Sequence, residues 1–362
     1  MSLEELRRGI DDVDARLVKL LAERLALSAE IGSEKAKQGR QITDVSRESV
    51  VMEHIRRLAE EDSIDIASIE SVYRRIIAAS KGVQGVSVAF QGEPGAYSQQ
   101  AAFNFFSAAV ETRPYETLED VFAAVERGDA SFAAVPVENS LEGSISKTYD
   151  LLLESPLKVC GELNLRVSHC LIASPGATLD SIKRVYSHPQ ALGQCQAFIK
   201  HLGCQAIPTY DTAGSVKMIK EGKLTDAAAV ASARSATIYD MRILASAIED
   251  TTNNFTRFFL LSGKDSLPTG NDKTSLVFSV KDRPGSLFAF LKELADRGIN
   301  LTKIESRPTR HKPWEYNFYL DFAGHRQDTG VAEVLGALEQ HVIFLKVLGS
   351  YPKAAREEGE QP

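Results

Sequence analysis

Residues 3–84 contain no proline, and their apolar side chains recur at the spacing of an α-helix. The steps between apolar positions alternate between four and three residues, which predicts one long helix over about residues 4–37. This apolar seam comprises Leu6, Ile10, Val13, Leu17, Leu20, Leu27 and Ile31. Shorter helices are predicted over about residues 46–61 and 66–81. Because a helix this long buries its seam poorly against two short ones, the pattern favours an intertwined dimer.

Cationic residues on this helix predict an anion site. Arg24 occupies the one seam position that is not apolar, and Lys35 lies about 16 Å further along the same helix. The two cations could hold one anion between them, although a lone seam arginine more often extends to solvent. Arg7 lies roughly 25 Å from Arg24 and 42 Å from Lys35 along the axis, too far for one small ligand. If Arg7 takes part in such a site, another chain supplies it.

Short strands alternate with helices over residues 85–263, which indicates an α/β domain. The predicted strands read VSVAF, SFAAVPV, LRVSHCLIA, KRVYS, AAAVAS and TRFFLLS. About 180 residues are many for one sheet, so we expect two lobes with parallel strands. The GEPGAYS turn lacks the G-x-G-x-x-G spacing of dinucleotide sites. It predicts either a helix N-terminus that faces an anion or a turn capped by Ser98.

Polar residues stand at the ends of several of these strands. Such residues face a common crevice in an α/β domain, so they predict one pocket, although each alone could be a cap or turn residue. The set is Glu138, Asn139, Ser187, Gln190, Gln194 and Thr256. In FTRFFLLS the two-residue period of a strand places Thr256 on one face with Phe258. Arg257 then lies on the opposite face with Phe259.

A polar linker over residues 264–273 precedes the last folded segment. From residue 274 to 352 the order strand, helix, strand, strand, helix, strand predicts a ferredoxin-like α+β domain. The charged tail over residues 353–362 is expected to fray. The chain is therefore predicted to be multidomain, with an all-α domain over residues 1–84 before the α/β and α+β domains.

Composition excludes several classes of function. The net charge of −7 argues against a nucleic-acid partner, because phosphate neutralisation requires a basic face. No apolar run has the length of a membrane span and no export signal is recognised, so we expect a cytoplasmic protein without membrane contact. The four cysteines lack C-x-x-C spacing and the histidines lack H-E-x-x-H, so we expect buried thiols and neither metal nor cofactor.

The helical segment resembles the all-helical chorismate mutase domain in LRRGIDDVDARLVKLLAERLALSAEIGSEKAK, DVSRE and SKGVQ. The resemblance implies that it rearranges chorismate to prephenate by holding the reactive conformer and stabilising charge on the ether oxygen. The implied site is Arg7 from the partner chain, Arg24, Lys35, Asp44, Arg47, Glu48, Ser80 and Gln84. In it the arginines bind the substrate carboxylates, and Lys35 and Gln84 donate to the ether oxygen. Glu48 organises the pocket, and Asp44 and Ser80 hold the substrate hydroxyl and the helix ends.

The α/β segment resembles prephenate dehydratase in GEPGAYS, VPVENSLEGSI, VYSHPQALGQC and NNFTRF. The implied reaction removes carbon dioxide and the ring hydroxyl from prephenate and gives phenylpyruvate. Thr256 is the implied catalytic residue, which donates a hydrogen bond or relays a proton to the departing hydroxide. The rest of the implied set completes this contact through Asn139, Ser187 and Gln194, orients neighbours through Glu138, and binds substrate through Gln190 and Arg257.

DRPGSLFAFLKEL and NLTKIESRPTRHKPWEYNFYLDF in the last segment resemble the regulatory ACT domain. The implied phenylalanine site, between paired domains, is Gly285, Ser286, Leu287, Phe288, Asn300, Leu301, Glu305, Ser306 and Arg307. Phe288 stands where the family usually has valine, which is expected to change the affinity for phenylalanine. The effector would shift the population toward a closed, less active dehydratase.

Together these resemblances predict a bifunctional chorismate mutase and prephenate dehydratase with phenylalanine feedback, working as a homodimer or higher oligomer. One alternative keeps the dehydratase but has an inactive mutase domain. A second is a ligand-sensing binding protein, because two-lobed clefts like those of periplasmic binding proteins, and ACT domains, also serve sensors. Arogenate is an alternative dehydratase substrate, which a fused mutase that makes prephenate disfavours.

Overall fold

The structure is a computed structural model, and it describes residues 2–37, 45–83, 85–108, 110–309 and 315–354. The chain forms two compact units. The first comprises Met1–Val88 and Ala102–Glu111, and the second comprises Ala89–Ala101 and Thr112–Pro362.

The first unit contains three helices at the predicted positions. They are α1 (Leu3–Lys37), α2 (Val45–Glu61) and α3 (Ile66–Gly82). Helix α1 is about 52 Å long at the standard rise. Its apolar seam is exposed throughout this chain, with Ile10 and Leu20 each 60% exposed. The prediction that α2 and α3 cannot cover the seam is therefore confirmed for one chain.

The first lobe of the α/β segment contains the sheet next to which GEPGAYS, VPVENSLEGSI and NNFTRF lie. Its elements are β1 (Ser87–Gln91), α4 (Tyr97–Phe105), β2 (Glu111–Tyr115), α5 (Leu118–Glu126), β3 (Phe132–Asn139), β4 (Gly143–Ser144), α6 (Ser146–Glu154) and β5 (Lys158–Arg166). A later strand, Phe255–Ser262, returns to this sheet and is β11. The strand order is β2-β1-β3-β11-β5, with β4 paired to β3.

The second lobe is formed by the chain between β5 and β11. Its elements are β6 (Cys170–Ala173), β7 (Arg184–Ser187), α7 (Pro189–Gln194), α8 (Gln196–Leu202), β8 (Gln205–Pro208), α9 (Thr212–Glu221), β9 (Ala227–Ala231), α10 (Ala233–Ile238) and β10 (Arg242–Ser246). The strand order is β10-β6-β9-β7-β8. The chain crosses between lobes over residues 167–169 and returns over residues 247–254.

The expectation of parallel strands is only partly right. Strand β7 is parallel to β8 and β9, whereas β6 is antiparallel to β9 and β10. Strand β11 is antiparallel to both of its neighbours, β3 and β5. The single strand predicted from LRVSHCLIA is also wrong, because the chain leaves β5 and enters β6, which belongs to the other sheet. The local alternation of apolar and polar residues does not reveal such a crossing.

The remaining elements form the predicted ferredoxin-like domain. They are β12 (Asp272–Ser279), α11 (Ser286–Asp296), β13 (Leu301–Pro308), β14 (Tyr316–Ala323), α12 (Thr329–Leu338) and β15 (Phe344–Pro352). The strand order is β13-β14-β12-β15, and the paired strands are antiparallel. Its core includes Phe278 stacked on Phe290 with ring centroids 3.7 Å apart.

This C-terminal domain shares a hydrophobic core with the first lobe. Val159 and Phe259 of the lobe belong to one buried cluster with Val277 and Leu348 of the C-terminal domain. At Gly349 in β15 a Cβ atom would lie 2.1 Å from the carbonyl oxygen of Val159, so only glycine fits this close approach. The backbones of β15 and β5 are therefore in direct contact. Among the helices of the described ranges, none is long and apolar enough to cross a membrane.

Candidate active site

A cavity of about 880 Å³ lies between the two lobes of the second unit. The first lobe contributes Asn139, Thr256 and the GEPGAYS turn to its walls, and the second lobe contributes Gln190 and Gln194. Four of the six residues predicted from strand ends therefore line one pocket: Asn139, Gln190, Gln194 and Thr256.

Asn139 and Thr256 form the central pair of this cavity. They lie opposite each other in the ladder between β3 and β11. The Asn139 Oδ1 atom accepts hydrogen bonds from the backbone N–H groups of Leu141 and Glu142, at 3.1 and 3.2 Å. These bonds fix the amide so that Nδ2 donates to Thr256 Oγ1 at 3.0 Å. Because a hydroxyl has one proton, Thr256 accepts here and keeps its own proton for a second partner.

Gln194 extends this arrangement into the second lobe. Its Oε1 accepts from Asn254 Nδ2 at 2.9 Å, and its Nε2 donates to the Glu142 carboxylate at 3.2 Å. Asn254 Oδ1 accepts in turn from Asn139 Nδ2 at 2.8 Å. Hydrogen bonds thus join side chains from both lobes at the wall of the cavity that contains Asn139 and Thr256.

Three residues predicted for this site do not line the cavity. Ser187 is fully buried, and its hydroxyl donates to the carbonyl oxygen of Val230 at 2.6 Å. Glu138 and Arg257 stand one residue from Asn139 and Thr256, so the pleat directs them to the opposite face of the sheet. The opposite orientation of Arg257 agrees with the two-residue period, but the assignment of Arg257 to substrate binding does not fit this geometry.

Arg257 is instead held by carboxylates behind the cavity. Its Nε donates to Glu162 at 2.8 Å and its Nη1 to Asp321 of β14 at 2.6 Å. The side chains of Glu162 and Asp321 are only 2% and 7% exposed. Burial opposes the charge of Asp321, but Arg257 outweighs it and lowers the pKa of the carboxyl. Arg257 therefore compensates buried negative charge at the boundary between the first lobe and the C-terminal domain.

Arg257→Met is expected to destabilise the second unit, because it removes the ion-pair partner of the buried Asp321 and leaves the buried Glu162 paired with Lys273 alone. Removing one partner of a buried ion pair costs about 3–5 kcal/mol. Denaturant unfolding followed by tryptophan fluorescence and circular dichroism measures the change. Arg297→Met, which removes an exposed i,i+4 partner of Glu293, is the matched control and is expected to cost less than about 0.5 kcal/mol. Equal stability of the two variants would contradict the assigned role.

Glu138 contacts the C-terminal domain beside this arginine. Lys303 of β13 donates to Glu138 Oε2 at 2.7 Å and to Ser144 Oγ at 2.9 Å. Ser144 also donates to the carboxylate of Glu305. Burial disfavours the charge on Lys303, but Tyr149 and Glu138 raise its pKa overall. The segment that the sequence assigns to phenylalanine binding is thus bonded to the residue next to Asn139.

The other residues predicted for phenylalanine binding lie at the start of α11, at the start of β13 and along β13. Gly285 caps α11 with a left-handed φ of 84°, and Ser286, Leu287 and Phe288 begin that helix, where Phe288 is 69% exposed. Asn300 and Leu301 lie at the start of β13. Along β13, Glu305 and Arg307 face the dehydratase lobe, where Arg307 donates to the carbonyl oxygen of Ser146 at 2.8 Å, whereas Ser306 is exposed.

Residues of the GEPGAYS turn line the cavity. Gly92 and Gly95 have φ angles of 105° and 98°, which other residues rarely adopt. Close packing across the cavity also requires them, because a Cβ at Gly92 would lie 2.9 Å from Asp211 of the second lobe. Lys217 of α9 donates to Glu93 at 3.0 Å and adds a second link between the lobes at this end. Burial raises the pKa of Asp211.

The first unit brings together part of the predicted mutase set. The guanidinium of Arg24 donates to Ser80 Oγ and to the carbonyl oxygen of Ile76 at 3.5 Å. Lys35 is half-buried on the same helix, and Arg7 is exposed near its other end. Asp44 and Gln84 lie outside the described residues, as do the side chains of Arg47 and Glu48.

Sequence reasoning missed several residues that surround the Asn139–Thr256 pair. Asn254 and Glu142 contact the predicted residues directly, and His169 and Tyr97 line the cavity beside Gln194. Asn254 lies in the motif NNFTRF and Glu142 lies in VENSLEG, so the motifs themselves could have indicated that both residues are near the site. His169 was hidden because its segment was interpreted as the middle of a strand.

Three family models match the chain in succession: chorismate mutase type II over residues 6–85, prephenate dehydratase over residues 88–266 and the ACT domain over residues 274–340. The bifunctional chorismate mutase/prephenate dehydratase of Aquifex aeolicus (strain VF5) is 40% identical over 363 residues, which cover 98% of this chain and 99% of the relative. The predicted order of helical, α/β and ferredoxin-like domains is therefore confirmed.

Solved structures resemble the second unit. The prephenate dehydratase of Arthrobacter aurescens in complex with L-Phe is 32% identical, has a TM-score of 0.68, and aligns over 74% of this chain and 90% of its own. A protein described as GqqA, a novel type of quorum quenching acylase, is 36% identical with a TM-score of 0.68, over 74% of this chain and 97% of its own. Since one fold carries both descriptions, the fold alone does not decide the activity.

Proposed function

We propose which residues carry out each reaction of this chain, which belongs to the family of bifunctional chorismate mutase/prephenate dehydratases. The helical segment rearranges chorismate to prephenate, and the two-lobed segment converts prephenate to phenylpyruvate. The ACT domain provides feedback regulation by phenylalanine. The full-length similarity to bifunctional relatives favours this function over an inactive mutase domain or a ligand sensor.

In the mutase site, Arg24 and Lys35 bind the dianionic substrate together with Arg47 and with Arg7 of the partner chain. Lys35 and Gln84 donate to the ether oxygen as its bond to the ring breaks, which stabilises the charge that develops there. Asp44, Glu48 and Ser80 organise the pocket. The contact between Arg24 and Ser80 supports this arrangement, because it directs the guanidinium toward α3 rather than toward solvent.

In the dehydratase site, carbon dioxide leaves the quaternary ring carbon and its bonding pair enters the ring. The C–O bond to the ring hydroxyl breaks at the other end, and hydroxide must take up a proton to leave as water. Thr256 donates a hydrogen bond to this oxygen, while Asn139 and Gln194 hold the surrounding polar contacts and Gln190 binds substrate. Ser187, Glu138 and Arg257 act indirectly, by supporting the strands that carry the site.

One observation carries the dehydratase assignment: Asn139 has both oxygen lone pairs occupied by backbone donors, so Thr256 must accept from its Nδ2. The threonine proton is then directed to a different partner, and the hydroxyl lines the cavity. The prediction of an anion at the N-terminus of α4 is kept as part of the proposal, since the GEPGAYS turn faces the same cavity.

The test of function is a turnover experiment with the whole chain. Chorismate is supplied, and prephenate and phenylpyruvate are followed by absorbance with and without phenylalanine. Both products are expected in sequence, with less phenylpyruvate when phenylalanine is present. Turnover of added prephenate without turnover of chorismate would show an inactive mutase, and absence of any turnover would favour the sensor. Supplying arogenate in place of prephenate tests the alternative substrate, which we expect to react more slowly.

For regulation, we infer that phenylalanine acts through the contacts of β13 with the first lobe. Lys303 and Glu305 bond to Glu138 and Ser144 directly behind the Asn139–Thr256 rung. A rearrangement of β13 on binding phenylalanine would therefore move the strands that hold the catalytic pair. This route links an effector site to the cavity through one sheet.

Lys303→Met is expected to weaken inhibition, because it removes the cation that joins β13 to Glu138. The phenylalanine concentration for half inhibition should rise about tenfold, within the usual range of coupling energies, while kcat without phenylalanine stays nearly unchanged. Lys292→Met, which removes an exposed i,i+4 partner of Asp296, is the control. Retained inhibition together with normal phenylalanine binding by calorimetry would count against this route.

We further propose that the chain forms at least a homodimer through the exposed seam of α1 and works in the cytoplasm. The seam is an unusually large apolar surface for a single chain in water. A second copy would cover it and would bring Arg7 to the site of its partner. Light scattering of the intact chain is expected to give twice the chain mass or a higher multiple, and a stable monomer would contradict the proposal.

A further inference from the structure

His169 lies where the chain crosses from the first lobe to the second. Its residue is only 2% exposed, and it lines the cavity between the lobes. Its backbone N–H donates to Glu249 Oε2 at 2.8 Å, and Glu249 lies on the returning crossing. A hydrogen bond therefore joins the two connections between the lobes at this histidine, which lies in the wall of the cavity.

The partner of Nε2 identifies the tautomer of His169. Nε2 lies 3.0 Å from Gln194 Oε1, and Nδ1 lies 3.0 Å from the hydroxyl oxygen of Tyr97. Gln194 is oriented independently, because its Nε2 donates to the carboxylate of Glu142 and its Oε1 accepts from Asn254. Since Gln194 presents an oxygen to the imidazole, His169 Nε2 must carry a proton. Burial lowers the pKa of His169, which favours the neutral ring.

The hydrogen bonds beyond Gln194 close a ring. Asn139 donates to Asn254, Asn254 to Gln194, Gln194 to Glu142, and the backbone N–H of Glu142 donates back to Asn139. The three side-chain bonds from Asn139 to Glu142 run in one direction, an arrangement in which successive amide bonds polarise and strengthen one another. If the Gln194 amide were turned over, its Nε2 would face the donor Asn254 Nδ2, and its Oε1 would face the acceptor carboxylate of Glu142.

We propose that His169 is a positioning residue for the dehydratase reaction. Its Nε2–H donates to Gln194 Oε1 and, together with the bonds of Gln194 to Asn254 and Glu142, holds the Gln194 amide at the cavity wall beside Asn139 and Thr256. Tyr97 holds the ring in place, because its hydroxyl donates to the carbonyl oxygen of Ser168 at 2.7 Å and its own ring packs edge-on against the imidazole, with centroids 5.5 Å apart. The inference rests on the proposed dehydratase function, and it concerns how that site holds its polarity.

The first test compares His169→Leu with His169→Gln in the full chain. Leucine removes the donor, so kcat of the dehydratase is expected to fall about 10–100-fold with KM within about threefold, as for other supporting hydrogen bonds. Glutamine places an amide N–H near the position of Nε2 and should restore most of the rate. The mutase rate of the same samples reports on folding and is expected to stay unchanged. Equal losses in both variants, or an unchanged kcat in His169→Leu, would overturn the inference.

A double-mutant cycle asks whether His169 acts through Gln194. If it does, His169→Leu should reduce kcat by less than about threefold in a Gln194→Ala background, since interacting residues are not additive. Fully additive losses would show an independent role and refute the proposal. Tyr97→Phe offers a milder variant should His169→Leu fail to fold, with an expected fall in kcat of about threefold to tenfold. If His169→Leu does not fold and Tyr97→Phe leaves kcat unchanged, the proposal is wrong.

The same measurements separate this inference from the proposed function. Wild-type chain that does not turn over prephenate would remove the dehydratase assignment itself. Wild-type chain that turns over prephenate, beside a His169→Leu chain with normal kcat, would remove only the positioning role.

Discussion

Thr256→Val is expected to lower kcat of the dehydratase by about 10²–10³-fold while the mutase rate of the same chain stays within twofold of wild type. Valine keeps the shape and the β-branched side chain that suit strand β11, so the backbone of the strand has no reason to move. Asn139 Nδ2 also keeps its bonds to Asn254 Oδ1 at 2.8 Å and to the carbonyl oxygen of Phe255 at 3.2 Å, so neither of its two N–H donors is left without a partner. The loss therefore measures the hydroxyl alone.

The matched control is Thr256→Ser, which keeps the hydroxyl and removes only a methyl group. Serine is expected to retain kcat within about tenfold, because its oxygen can still accept from Asn139 Nδ2 and donate to the departing hydroxide. Steady-state rates of phenylpyruvate formation from added prephenate compare the three proteins. A Thr256→Val chain as active as the serine variant would exclude the hydroxyl from the chemistry.

Lys35→Ala is expected to lower the mutase rate by about 10³-fold, because it removes a charged donor to the ether oxygen in the transition state. The dehydratase rate, measured with added prephenate, should be unchanged. Lys19→Ala, on the exposed surface of the same helix α1, is the control and should leave both rates close to wild type. Disappearance of the chorismate absorbance gives the mutase rate directly.

The two substitutions are informative as a pair. Thr256→Val and Lys35→Ala should impair opposite reactions, and a mixture of the two proteins should convert chorismate to phenylpyruvate through released prephenate. Loss of both activities in either folded protein would contradict separate sites.

The sequence predicts elements well where one face of an element packs against its own domain. Helices α2 and α3, and the succession of strands and helices along the C-terminal domain, follow from such periodicity. Sequence reasoning missed β2, β4, β8 and β10 and all but the last two residues of β5, and of these β2, β5, β8 and β10 lie at the edges of their sheets. Edge strands are short and partly exposed, so they lack the buried alternation by which strands are recognised.

The sequence predicted which residues lie near the candidate site better than it predicted the directions in which their side chains point. Residues at strand ends do meet in one cavity, but the strand-end rule does not say which way a side chain points. Ser187 turns to a neighbouring carbonyl, and Glu138 faces away from Asn139 through the pleat. His169 could not be recognised, because its role depends on which sheet receives the chain after residue 166, and local sequence does not encode that choice.

Gly349 has a consequence for what counts as a domain in this chain. The close approach of β15 to Val159 and the core that joins Val277 to Phe259 make the dehydratase lobe and the C-terminal domain one cooperative folding unit. The polar segment near residue 270 thus separates two family models in the sequence, but it does not separate two independent hydrophobic cores. Local opening of the C-terminal domain would expose the lobe's own core to water, so regulation must proceed by displacement of folded parts rather than by melting.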